Sequence, residues 1–257
     1  MPKKLEAHYL PQFVREEDLV GSVVVVIDLL RASTTIATAL AAGAAEVRPY
    51  LEVGDVVRAA EQLSGESESP LMLAGERGCQ RIEGFHLGNS PSEYTAERVF
   101  GARLLFTTTN GTRALQHARL AERVAVGCVA NLTALAESLQ GAGSVALLCA
   151  GTNAHVSRED RLAAGAIAHR LEELEGEPRE RSEPADAVLR EWQELLTTAR
   201  ALGRSASEQL AVELRDTPGG KNLLKVGHDD DLIHCAQVDT LSVVPGFDPK
   251  SGRITLA

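Results

Sequence analysis

Short apolar runs alternate with amphipathic stretches along the first 150 residues of the chain. The runs Ser22–Asp28, Glu46–Tyr50, Leu71–Ala74, Arg103–Thr107, Arg123–Val126 and Ser144–Ala150 have the length and composition of buried strands. Between them, Thr34–Ala42, Val53–Leu63, Gly111–Arg119 and Leu132–Leu139 read as helices. This alternation predicts βαβ units, and so an α/β fold with a mostly parallel sheet covered by helices. In such sheets ligands gather beyond the carboxyl ends of the strands, so the residues that follow each run carry the most weight.

Past Ala150 the pattern changes. A long helix is expected from Ser157 to about Leu174, ended by Gly176–Pro178, and Asp186 through Leu214 is polar and helix-rich. Thr217–Gly220 reads as a turn, and Asp239–Val244 and Arg253–Leu256 as late strands. The reading divides the chain into an N-terminal α/β lobe, residues 1–130, and a C-terminal α/β lobe, residues 131–257. No Pro- or Ser-rich linker marks the join.

Composition narrows the function. With 44% hydrophobic and 24% charged residues, the chain has the balance of a globular protein. Its formal net charge of −10 argues against a nucleic-acid partner, and any anion must find a locally positive seat. The four cysteines are scattered without a C-x-x-C pair, as expected for free thiols in a reducing compartment. Met1–Leu10 has no signal-peptide core, and no apolar run is long enough to cross a bilayer. A cytoplasmic protein without membrane contact is expected, with a symmetric homodimer as the base-rate assembly.

Four strand exits carry chemistry. In VVVVIDLLRASTTIATALAAG, Asp28 ends a strand, Arg31 follows, and Ser33, Thr34 and Thr35 are placed to cap the next helix. That reads either as an anion seat beside a metal-binding carboxylate or as a capped turn with a local Asp28–Arg31 salt bridge. In AGERGCQRIEGFHLGNSPSEY, Glu76 and Arg77 leave a strand, and Asn89 lies in a turn-rich loop. This loop is either functional or a solvated connection. LLFTTTNGTRAL brings Thr109, Asn110 and Arg113 to a helix start, without the spacing of a Walker loop. CAGTNAHVSREDRLAAG holds an S-x-x-D capping box at Ser157 and Asp160, and Glu159 and Asp160 are either first-turn acids or metal ligands. Asp229–Asp231 reads as a helix start on the surface, with Asp231 open to a place near the site. His228 and His234 lack zinc-ligand spacing.

Taken together, the stretches IDLLRASTTIATAL, AGERGCQRIEGFHLGNSPSEY, TTNGTRAL and AGTNAHVSREDRLAAG resemble, in that order, the signature blocks of the 2-phosphosulfolactate phosphatase family. The resemblance spans Val23 to Gly165 and continues more weakly through DDDLIHCAQVD. It implies an α/β fold of two related lobes and Mg²⁺-dependent hydrolysis of a small phosphate ester, (2R)-2-phospho-3-sulfolactate, to 3-sulfolactate and phosphate. The family is associated with coenzyme M biosynthesis. His86 stands where the family usually has an acid, and Asn153-Ala154-His155 where it usually has glycine, departures that would retune the sulfonate end of the pocket or mark a divergent substrate.

On this reading Asp28, Arg31 and Glu76 are catalytic. Asp28, Glu76, Glu159 and Asp160 supply the metal ligands, and Arg77, Asn89, Thr109, Asn110 and Arg113 bind substrate. Whether water or Asp28 attacks phosphorus is open; Asp28 lacks the D-x-D partner of aspartyl-phosphate enzymes, and no cysteine has the C-x5-R loop. Metal-activated water is the preferred nucleophile. Two alternatives stand beside this reading: a phosphatase of another small acidic ester, and a non-catalytic small-anion sensor.

Overall fold

A computed structural model describes residues 3–65 and 67–256 of the chain; Met1, Pro2, Glu66 and Ala257 lie outside it. The N-terminal elements are β1 (Lys4–His8), β2 (Val23–Ile27), α1 (Ala32–Ala41), β3 (Glu46–Pro49), α2 (Val53–Leu63), β4 (Leu71–Arg77), β5 (Gln80–Arg81), α3 (Ala96–Val99) and β6 (Arg103–Thr107). Then follow α4 (Gly111–His117), β7 (Arg123–Gly127), α5 (Leu132–Leu139), β8 (Ser144–Cys149), α6 (Arg158–Glu175), β9 (Glu180–Arg181) and α7 (Glu183–Ala201). The chain ends with α8 (Ala206–Asp216), α9 (Pro218–Lys225), α10 (Asp229–Cys235), β10 (Pro245–Asp248) and β11 (Arg253–Leu256). The class is α/β.

All strands join one sheet in the order β5-β4-β6-β3-β11-β10-β7-β2-β8-β1-β9. The pairs β3–β6, β4–β6, β2–β7, β2–β8, β1–β8 and β1–β9 are parallel. The C-terminal hairpin β10–β11 enters between β3 and β7, antiparallel to both. Three antiparallel pairings in series make the two parallel halves run in opposite directions. Strands from both sides of residue 130 share this sheet.

Period-two alternation decides where each strand's side chains go. Val23, Val25 and Ile27 face a core with α5, α6 and α7, whereas Val24 and Val26 face a second core. That second core also holds Val47, Leu104 and Phe106 from the opposite half, together with Ile36 and Leu40 of α1 and Leu115 of α4. Helices α1 and α4 therefore cover this face of the sheet. On the outer side of β6, Leu105 packs against Val56 and Ala59 of α2.

Several sequence expectations need correction. Asp239–Val244 is irregular rather than a strand: Asp239 takes φ 54°, and its carboxylate accepts from Thr133 N and Oγ1 at the start of α5. The strand begins afterwards, at Pro245. Thr217–Gly220 opens α9 instead of turning, with Thr217 Oγ1 accepting from Gly220 N at 3.1 Å and Pro218 in the first turn, where its missing N–H costs nothing. Strand β1 escapes an apolar-run search because its burial alternates from residue to residue. Among the described residues, no helix is long and apolar enough to cross a membrane.

Candidate active site

A cavity of about 540 Å³ opens where the exits of β2, β4, β6 and β8 converge. The turn after β2 is bound tightly to itself. Asp28 N donates to Ser33 Oγ at 2.8 Å, and Ser33 N donates to Asp28 O at 2.9 Å. The Ser-Thr-Thr run is therefore not a helix cap. Thr34 Oγ1 donates to Leu29 O and Thr35 Oγ1 to Asn89 O, fastening α1 to its neighbours.

The Asp28 carboxylate is buried beside the backbone N–H groups of Ala32 and Gly111. Gly111 matters because a Cβ there would stand 2.8 Å from Asp28 Oδ2. Burial, and then the negative charges of Glu76 and Glu159, push the Asp28 pKa up to about 7 against the pull of those N–H groups. Asp160 is also raised, well above the usual carboxylate range, first by burial and then by Asp28 and Glu159. The acids of the site thus bear on one another across the cavity floor.

Glu76 ends β4 with its oxygens well supplied. Thr109 N and Oγ1 donate to Oε1 at 2.9 and 3.0 Å, and Cys79 N donates to Oε2 at 2.8 Å. Arg77 beside it donates to Glu76 O, Leu51 O and Thr107 Oγ1. The preceding Gly75 has φ 143°, and a Cβ there would meet Thr107 O at 2.0 Å, so only glycine lets β4 leave the sheet this close to β6.

Arg31 joins the two sides. Its guanidinium, 3% exposed, donates to Cys79 O at 2.7 Å and forms a 2.6 Å ion pair with Asp231 of α10. The other Asp231 oxygen accepts from Ser90 Oγ. Asp229 and Asp230 are exposed as a helix start should be, but Asp231 is buried and reaches the site.

Asp28, Arg31, Glu76, Arg77, Asn89, Thr109 and Asn110 line the cavity together. Arg113 is not brought in: its side chain is exposed, outside the lining. Glu159 and Asp160 stand behind the wall. Glu159 Oε1 accepts from Thr152 Oγ1 at 3.0 Å and Gly219 N at 3.1 Å, while Asp160 accepts from Leu29 N and Gly151 N, both at 2.9 Å. Half of the expected capping box forms, since Asp160 N donates to Ser157 Oγ but the carboxylate turns to Leu29 and Gly151. Gly219, Asn222 and Lys225 of α9 also line the cavity, and the sequence reading passed over them. The available signal was a Thr-Pro helix start followed by Asn and Lys three apart.

Among the described residues, no three His, Cys, Asp or Glu side chains are gathered tightly enough to ligate a metal unaided. Hard oxygens are nevertheless in place. Asp28, Asn89 and Thr108 line the cavity, and among the described residues Asn89 Oδ1, Thr108 Oγ1 and, behind the wall, Glu159 Oε2 are buried without a hydrogen-bond partner. Mutually repelling carboxylates and unpaired oxygens fit a small divalent cation that keeps several of its waters.

Fold and site define an α/β protein with an acidic, arginine-bearing pocket at its strand exits. A family model described as 2-phosphosulpholactate phosphatase matches residues 8–250, and the chain belongs to that family. It is 42% identical over 241 residues to a protein of Symbiobacterium thermophilum, covering 93% of this chain and 96% of the relative. A protein of Caldanaerobacter subterraneus subsp. tengcongensis is 36% identical, covering 90% of each chain. One of Parasynechococcus marenigrum is 40% identical, covering 86% of this chain and 87% of the relative. Each relative is named as a probable 2-phosphosulfolactate phosphatase.

Proposed function

We propose that this chain is a Mg²⁺-dependent phosphatase that hydrolyses (2R)-2-phospho-3-sulfolactate to 3-sulfolactate and phosphate. The observation that carries the reading is the buried Asp28 carboxylate on the cavity wall, crowded by Glu76 and Glu159 and set beside Arg31 and Arg77. Carboxylates around an anion alone would repel it, so the same residues do not suit a metal-free anion sensor.

Asp28 would hold the cation, with Asn89 Oδ1 and Thr108 Oγ1 as neutral oxygens nearby. Bound there, Mg²⁺ would supply charge neutralisation of the phosphoryl oxygens and a lowered pKa for water. Arg31 has donors beyond the two it spends on Asp231 and Cys79, and these point the phosphoryl group. Glu76 holds Thr109 and the Cys79 turn in position, so the cavity wall is preorganised before substrate arrives. Water adds to phosphorus, the ester P–O bond breaks, and the proton released by water balances the alkoxide that leaves. A cytoplasmic location and a homodimer belong to the same proposal; the location rests on the free thiols, of which Cys128, Cys149 and Cys235 are buried, and the dimer on the base rate alone.

The test is phosphate release from racemic 2-phosphosulfolactate, phospholactate and phosphoglycolate, with Mg²⁺ and with EDTA. Release that needs Mg²⁺ and favours the sulfonated ester is expected. Preference for another ester would change the substrate, and no release from any ester by folded protein would overturn the reading.

A further inference from the structure

The cavity has three cations in its lining, and two of them are already engaged. Arg31 is held by Asp231 and Cys79 O, and Arg77 by three oxygens of its own wall. Lys225 is the third. Among the described residues it makes no salt bridge, and the structure gives its ammonium no hydrogen bond. It closes α9, and Asn222, three residues earlier, lies on the same helix face and also lines the cavity. A lysine at a helix C-terminus is favoured by the helix dipole in any protein. That explains the lysine but not why it and Asn222 turn together into this cavity.

Helix α9 is fixed at its other end to the acid group. Gly219 N donates to Glu159 Oε1, and a Cβ on Gly219 would stand 2.1 Å from that oxygen. From Gly219 to Lys225 the helix advances about 9 Å at the usual rise. Asp28 is buried at the floor and Lys225 is exposed at the rim. Asp28 and Lys225 line the same cavity, so a ligand whose phosphoryl group lies beside Asp28 has Lys225 among the residues that enclose its far end.

We propose that Lys225, supported by Asn222, is the specificity determinant that receives the sulfonate of the substrate, an inference that rests on the phosphatase reading above. A sulfonate is a permanently ionised group with three acceptor oxygens, and an ammonium brings three donors. Lys225 touches only this distal anion and takes no part in the bond cleavage.

The experiment compares Lys225→Met, Asn222→Ala and the control Lys221→Met, which removes an exposed charge from the same helix outside the cavity. Steady-state kinetics are run on 2-phosphosulfolactate and on phospholactate, which lacks the sulfonate. Lys225→Met should lower kcat/KM for the sulfonated ester about fivefold, mainly through KM, and leave phospholactate within twofold. Asn222→Ala should act in the same direction more weakly, and Lys221→Met should change neither. Equal losses on both esters, or no loss, would overturn the proposal. Calorimetric binding of 3-sulfolactate and of lactate separates the two ideas. Should the wild type release no phosphate, the phosphatase reading fails, yet 3-sulfolactate binding that depends on Lys225 would still uphold this site. Binding that is absent, or indifferent to Lys225→Met, would sink it.

Discussion

The two walls of the cavity are built from the same kinds of residue and differ in how they are satisfied. On the β4–β6 side, Glu76 receives three donors, and Arg77 places its own on three oxygens. On the β2–β8 side, burial and neighbouring acids, Glu76 of the first wall among them, raise Asp28 and Asp160, and among the described residues Glu159 Oε2 is buried without a partner. A buried carboxylate is tolerated when hydrogen-bonded or neutralised and is otherwise forced upward in pKa. The first wall is thus a finished scaffold. The second holds buried acids whose ionisation is disfavoured, and carboxylates perturbed in this way mark a candidate functional site. Arg31 bridges them, rising from the β2 side and ending on Cys79 O of the other.

Breaking the bridge should have the largest effect. Asp231→Ala leaves the buried Arg31 guanidinium without its carboxylate, and losing one partner of a buried pair costs about 3–5 kcal/mol. Urea unfolding of the variant measures it. A loss below about 1 kcal/mol would mean that Arg31 finds another partner and does not depend on Asp231 to be held in its bridging position.

The next effect tests whether the finished wall is only a scaffold. Glu76→Gln keeps the shape but cannot accept as a carboxylate from Thr109 and Cys79 at once. Turnover should fall roughly a hundredfold, on the order of 3 kcal/mol in the barrier. Turnover and Mg²⁺ dependence close to wild type would confine the chemistry to the β2–β8 side.

How much of this was legible in the sequence differs between the walls in the same way. Asp28 directly follows the apolar strand β2 and Glu76 is the last residue but one of β4, so local pattern exposes both acids directly. The roles of Glu159 and Asp160 were half legible, because first-turn acids serve a helix dipole whether or not they face a site. Asp231, Gly219 and Lys225 come from helices far along the chain, and no local periodicity says that α9 and α10 close over the β2 exit. The inserted hairpin β10–β11 was hidden for a related reason: strand order is a long-range property, and Arg253–Leu256 reads as a strand without revealing that it pairs with β3. Arg113 shows the reverse error. A helix-start arginine matches an anion motif, yet its position on α4 turns it to solvent.

The smallest effect bears on the second wall, through pH. The Asp28 pKa is raised from 3.8 to about 7, so between those values the folded chain holds a proton that the unfolded chain has released. Folded protein binding the extra proton means that stability falls as pH rises through this window. The expected loss for the metal-free chain is about 2 kcal/mol between pH 5 and pH 7, read from urea midpoints and slopes. Asp28→Asn cannot ionise and should show a flatter profile over the same range. Mg²⁺ prefers the ionised carboxylate, so adding it should restore wild-type stability at pH 7 more than at pH 5, and should do little for the variant. A wild-type profile as flat as that of Asp28→Asn, or stabilisation by Mg²⁺ that ignores Asp28, would place the cation elsewhere and erase the contrast between the walls.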